Sequence, residues 1–148
     1  MATEVAKGYS DVEFETFIID DFACRLIREP QKYDVIVMPN LYGDILSDAA
    51  GGLLGSLGLA ASGIYGDHYA YFEPAHGTAP DIAGQNIINP TATLLTATMM
   101  LEHLGFEAEA DKIERAVFRV FEDGKVLTPD QGGSASTTEF VDAVAASL

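Results

Sequence analysis

Asp44 and Asp48 stand four residues apart in the stretch DVIVMPNLYGDILSD, residues 34–48, just beyond an apolar run rich in β-branched side chains. On a helix, that spacing projects both carboxylates from one face, one turn apart, and offers hard oxygen donors to a divalent cation. Asp20 closes the preceding strand candidate in the same relation. Three carboxylates are thus available for an oxygen-rich Mg²⁺ or Mn²⁺ site, with water and substrate oxygens as further ligands. A second feature is EPAHGTAPDIAG, residues 73–84. Its Gly, Pro and small residues let backbone N–H groups approach a phosphate-bearing ligand. Asp81 follows that loop, where a carboxylate can grip vicinal ribose hydroxyls and repel a 2′-phosphate, which predicts NAD over NADP.

Each feature also has a plainer reading. Aspartates beside a helix start are mostly solvent-facing, and Asp81 suits a cap of the following turn. For Asp44 and Asp48 that reading is weakened by their place beyond the carboxyl end of an expected buried strand, where open α/β sheets bind ligands. His76, in a loop bounded by Gly and Pro, suits a backbone hydrogen bond and a ligand contact equally. His68, His76 and His103 lack zinc-ligand spacing, and His103, near Gly105, is placed to complement a helix C-terminus. There is no GxGxxG, so a Rossmann fingerprint is not supported.

These residues require a scaffold. With 148 residues, 48% of them hydrophobic, the chain can bury a core. We expect residues 1–148 to form a single compact unit without an internal linker. The net charge of −15, from 23 acidic and 8 basic side chains, argues against nucleic acid and anionic membranes as partners. The single cysteine, Cys24, can form no intrachain disulfide, and its apolar neighbours predict a buried thiol in a reducing compartment. No apolar h-region opens the chain and no window of eighteen apolar residues occurs, so we read it as soluble and cytoplasmic.

Patterning predicts a βα first half and a mostly helical second half. A short helix over 1–7 stops at Gly8, and a strand is expected over 12–19. Asp20 and Asp21 favour the start of a helix that ends before Pro30. The run 35–38 reads as a fully buried strand, followed by a helix capped by Asn40 with Leu41, Ile45, Leu46, Ala49 and Leu53 facing inward. Six glycines in 51–66 predict a mobile or tightly turned connection. A strand over 69–72 then enters the 73–84 loop. Pro90 is placed at N1 of a helix reaching Gly105, a second helix runs over 107–123 to Gly124, and Ser136 with Glu139 makes a capping box for a last one.

Four motifs carry a resemblance: NLYGDILSD (40–48), EPAHGTAPDIAG (73–84), NPTA (89–92) and GGSASTTEF (132–140). Together they resemble the β-decarboxylating dehydrogenases, with the isocitrate branch nearer than the isopropylmalate branch through HGTAPDIAG and STTEF. The similarity spans nearly the whole chain but matches only the carboxyl-terminal half of the family. It implies an α/β fold, a partial or rearranged isocitrate/isopropylmalate dehydrogenase-like scaffold with short strands and several packed helices. It implies that Asp44 and Asp48 hold the metal and that Asp20 serves the neighbour's site across a dimer interface. His76, Gly77, Thr78, Ala79, Asp81 and Asn89 correspond to the loop around the dinucleotide, with Asp81 on the adenosine ribose and Asn89 near adenine. NADP-preferring relatives carry Lys-Tyr where this chain has Asp81-Ile82, so NAD is expected.

The family's substrate-clamping arginines, its proton-donating tyrosine and its lysine fall outside the matched half. No catalytic acid or base is therefore assigned in this chain, and Arg25, Arg28, Arg115 and Arg119 read as surface charges on helices. We expect a truncated NAD- and Mg²⁺-dependent decarboxylating dehydrogenase, inactive alone, that binds nucleotide weakly and works as a homodimer or larger, or with a complementary amino-terminal half, on isocitrate. The alternative is a non-catalytic nucleotide-binding or self-associating module of the same descent.

Overall fold

The structure, a computed structural model, describes residues 1–148. It holds six α-helices and one two-stranded antiparallel sheet. The chain divides into two compact units, Met1–Leu46 and Ser47–Leu148, at a point inside helix α3 that no shift in composition marks.

The first unit contains α1 (Ala2–Ala6), α2 (Ile19–Arg28), a 3₁₀ turn at Pro30–Lys32 and the start of α3 (Asn40–Leu53). Helix α2 has Asp20 and Asp21 in its first turn and Arg25 and Arg28 in its last, each sign at its favoured end. Arg25 Nε donates to Asp21 Oδ2 at 2.6 Å across one turn, which raises the guanidinium's affinity for its proton. Phe22 and Leu26 form the buried stripe of α2. The Phe22 ring lies 5.0 Å from Tyr33 and 5.6 Å from Phe17, centroid to centroid. Cys24 is exposed rather than buried. At ~100° per residue it falls roughly opposite the Phe22–Leu26 stripe, so apolar neighbours in sequence are not neighbours in space.

Two expected strands do not form. Residues 12–18 are irregular, and Ile19 opens α2. The run 35–38 has no regular secondary structure, and Val35 and Val37 are 81% and 79% exposed. β-branched residues favour a strand only where another strand completes the ladder. The one ladder in this chain joins two strands of the second unit.

In the second unit, β1 (Ala61–Tyr65) and β2 (Ala70–Pro74) pair with Gly63 opposite Phe72. The glycine-rich stretch 51–66 thus contains a 3₁₀ turn at Leu57–Leu59 and a whole strand, where a connection alone was expected. Helix α4 (Thr91–His103) packs against both strands and against α5 (Glu107–Asp123). Thr91, Ala92, Thr96 and Thr98 are buried on it, because small side chains permit close approach from several directions. Helix α6 (Thr137–Ala146) packs on α5, and Ala116, Val117, Val120, Phe140 and Val144 make the core between them.

The helix ends follow the sequence signals. Gly105 and Gly124 take left-handed conformations, with φ of 83° and 66°, just past α4 and α5. Pro90 is the N-cap of α4 rather than N1. At α6, Glu139 N–H donates to Ser136 Oγ at 3.2 Å and Ser136 N–H to Glu139 Oε2 at 2.8 Å. The backbone bond from Ser136, and then its hydroxyl, hold the Glu139 carboxyl below the usual carboxylate range. His103 stands in the last turn of α4, its ring 5.4 Å from that of Tyr65 and 5.7 Å from Phe72.

Candidate functional site

In the second unit, His76, Gly77, Ala79 and Asn89 line one cavity of about 480 Å³, within the range of small-ligand sites. Ile82, Ile87 and Ile88 supply apolar lining, and Ser56, Leu57, Gly58, Pro129 and Asp130 line the rest of what is an open cleft. Four of the six residues expected around a dinucleotide therefore meet at one surface. Thr78 and Asp81 are exposed beside it in sequence, Asp81 within the 3₁₀ turn Pro80–Ile82, and neither lines it.

Backbone shape explains part of the cradle. Ala79 has φ 42° and ψ 61°, a left-handed conformation that costs a residue with a Cβ ~1–2 kcal/mol. Such outliers collect at ligand sites, where surrounding structure holds them in place. A Cβ on Gly77 would meet nothing within 4 Å, so the loop leaves open space there. With His76 Nδ1–H donating to the Gly77 carbonyl at 2.9 Å, Nε2 is the ring nitrogen available to a ligand. Gly58 is required by proximity, since a Cβ there would come 3.0 Å from Asn89 Cβ and 3.3 Å from its carbonyl oxygen.

Asn89 is buried, 3% exposed, and engaged at both ends. Its Nδ2 donates to Asp130 Oδ2 at 3.0 Å, and its Oδ1 accepts the Thr91 N–H at 3.1 Å. The same carboxamide thus ties the cavity to the first turn of α4. Burial pushes the Asp130 carboxyl up, but hydrogen bonds from Thr128, Asn89, Ser56 and Gln131 outweigh it and hold the carboxyl below its ordinary range. The Thr128 bond, Oγ1 to Oδ1, is 2.6 Å long.

That shift has a definite sign in the stability curve. A carboxyl whose folded pKa lies below its unfolded one stabilises the fold above the unfolded pKa, and the contribution is lost as pH falls through the folded value. Glu139 acts in the same direction. Asp130→Asn is expected to remove part of the loss of stability on acidification below the ordinary carboxylate range. Urea midpoints between pH 3 and pH 7, read against ~3.9 for a free aspartate, check this. An acid limb identical to that of the unaltered chain would take Asp130 out of the coupling.

Asp44 and Asp48 both lie on α3, four positions apart, as the spacing predicts. Asp44 Oδ2 accepts Asn40 Nδ2–H at 2.9 Å, so the Asn40 carboxamide reaches forward along the helix. Asp20 accepts the Asp21 N–H at 2.8 Å in the first turn of α2. The chain holds no group of three or more His, Cys, Asp or Glu side chains that could bind a metal ion. The arginines carry surface charge as expected: Arg25, Arg28 and Arg115 pair with acidic neighbours, and Arg119 donates to the Ser147 carbonyl.

Ser56, Gly58 and Asp130 were not singled out in the sequence. Thr128-Pro129-Asp130 carries ordinary turn chemistry, and nothing local says that this turn meets Asn89, 41 residues away.

Comparison with known proteins gives the family and the fold. Residues 1–144 match the isocitrate/isopropylmalate dehydrogenase family, and the chain belongs to it. It is 50% identical over 145 residues to a probable NAD isocitrate dehydrogenase subunit alpha, mitochondrial, of Drosophila melanogaster, an alignment covering 98% of this chain and 38% of that protein. It is 52% identical over 145 residues to the isocitrate/homoisocitrate dehydrogenase of Thermus thermophilus, covering 98% of this chain and 43% of the relative. The crystal structure of isocitrate dehydrogenase from Methylococcus capsulatus superimposes with a TM-score of 0.94 at 44% identity, over 98% of this chain and 43% of that one. The chain thus spans less than half the length of these relatives. The α/β fold class and the family expected from the four motifs both hold. No helix is long and apolar enough to cross a membrane.

Proposed function

We propose that this chain provides the cofactor-holding portion of an NAD- and Mg²⁺- or Mn²⁺-dependent decarboxylating dehydrogenase acting on isocitrate. The observation that carries the reading is the cavity in which His76, Gly77, Ala79 and Asn89 meet an isoleucine wall and the Asp130 carboxylate. Apolar Ile82, Ile87 and Ile88 beside a few polar groups suit a nucleotide base, and the open space at Gly77 suits close passage of a phosphate-bearing chain. In this reading Thr78 lies beside the dinucleotide, Asp81 accepts hydrogen bonds from the adenosine ribose, and Asn89 orients adenine. Asp44 and Asp48 hold the divalent ion, whose hard oxygen preference fits their chemistry, and Asp20 serves the corresponding site of a second copy. Bound metal supplies Lewis acidity toward substrate oxygens and NAD the hydride acceptor. The residues of this chain bind and orient those groups.

Calorimetric titration with NAD, Mg²⁺ and isocitrate, together with a mass measurement in solution, tests the reading. NAD binding, no turnover by the chain alone and a dimer or larger are expected. Losing a charge-assisted hydrogen bond to ribose costs ~1.5–3 kcal/mol, so Asp81→Lys is expected to weaken NAD binding by ~10- to 100-fold and to narrow the preference over NADP. Unchanged NAD affinity in that variant would remove Asp81 from the site, and no NAD binding by the unaltered chain would overturn the reading.

A further inference from the structure

Between Asp81 and Asn89 the chain runs through a non-glycine residue in the left-handed region, Asn86, with φ 56°. Immediately after it come Ile87, Ile88 and Asn89, which line the cavity. This segment lies in no helix or strand, so its shape must be imposed from elsewhere. The turn at Thr128–Asp130 holds its far end through Asn89. Its near end is held by the first turn of α6.

There Thr137 N–H donates to the Asn86 carbonyl at 2.9 Å, and Thr137 Oγ1 to the Ile88 carbonyl at 2.6 Å. Thr138 donates from both N–H, at 3.3 Å, and Oγ1, at 3.0 Å, to Asn86 Oδ1. The first N–H groups of a helix have no partner within it, and here two of them are satisfied by Asn86, the residue before the cavity wall. Asparagine suits the left-handed position, and its side chain supplies the acceptor that fixes it. Helix α6 is itself anchored, since Phe140 is fully buried and Val144 nearly so against α5.

We propose that Thr137 and Thr138, acting through Asn86 and the Ile88 carbonyl, are positioning residues for the nucleotide cavity: α6 is a strut that carries the rigidity of the α5–α6 core to the wall formed by Ile87–Asn89. The proposal rests on the nucleotide reading of that cavity. Neither threonine needs to touch the ligand. Their hydroxyls and amides set where the isoleucine wall stands, so nucleotide affinity depends on bonds made between residues 49 and 52 positions apart.

The test uses the full chain with both threonines changed to valine, which keeps their shape and removes both hydroxyls, and with both changed to serine, which keeps the hydroxyls. NAD titration and hydrogen exchange at residues 86–89 are measured on each. The valine pair is expected to lose roughly tenfold in NAD affinity, the factor corresponding to loss of such hydrogen bonds, and to exchange faster at 86–89 while α4 and α5 exchange as before. The serine pair is expected to restore both. Faster exchange with unchanged NAD affinity would overturn the positioning role and leave the nucleotide reading standing. Valine variants matching the unaltered chain in both measurements would overturn it as well. Failure of the unaltered chain to bind NAD would overturn the nucleotide reading, and this proposal with it.

Discussion

Gly133→Ala is expected to lower stability by ~3 kcal/mol, near the upper end of overpacking effects for a single added methyl group. A Cβ at Gly133 would lie 2.5 Å from the carbonyl carbon of Leu127 and 2.7 Å from its Cβ. The obstacle includes backbone, so no change of rotamer relieves it. The approach is held by Gly133 N–H donating to the Thr128 carbonyl at 3.1 Å and Ala135 N–H to the Leu127 carbonyl at 2.9 Å. Opening this loop would also shift Thr128 and Asp130, and with them the hydrogen bond to Asn89. Reduced stability and weakened NAD binding should therefore appear together. Gly132→Ala separates close approach from backbone strain: Gly132 has φ 79°, but a Cβ there would meet nothing within 4 Å. Its cost should be nearer ~1 kcal/mol. Urea midpoints for the two variants make the comparison, and equal midpoints would show that the loop opens readily around Gly133.

Phe140→Ala is expected to cost ~3–5 kcal/mol, the range for truncating a buried aromatic side chain. Phe140 is fully buried, with its ring centroid 5.4 Å from that of Phe121 and with Ala116, Val117, Val120 and Val144 in the same cluster. Those small partners cannot expand to fill the space left by a benzyl group. Because Phe140 seats α6, exchange at residues 86–89 should quicken as well. Thermal unfolding of Phe140→Ala and Phe140→Leu, the second keeping most of the volume, checks this. A loss below ~1 kcal/mol in the alanine variant would mean that α6 contributes little to the core.

The local rules of the sequence reached a good deal of this structure. Helix α5 occupies 107–123 as its apolar stripe and terminal glycine predict, and the Ser136–Glu139 capping box opens α6. Asp20 and Asp21 start α2, and Asp44 and Asp48 share α3. Each of these depends on residues within one or two turns of one another. The misses share a different cause. The run 35–38 has the composition of a buried strand and no partner with which to pair, and Cys24 has apolar neighbours but faces away from them. Strand β1 was hidden because glycine-rich sequence reads as a turn until a second strand fixes it.

Residue identity and short-range spacing by themselves determined the family motifs, the caps and the placement of the acidic pair along one helix, since these depend on backbone geometry over a few bonds. Only the tertiary structure decided that Asn89 meets Asp130, that Thr137 and Thr138 grip the 86–88 segment, and that 35–37 lies uncovered. Those outcomes depend on which distant segments come together, and a hydrogen bond across forty or fifty residues leaves no periodicity in the chain that makes it.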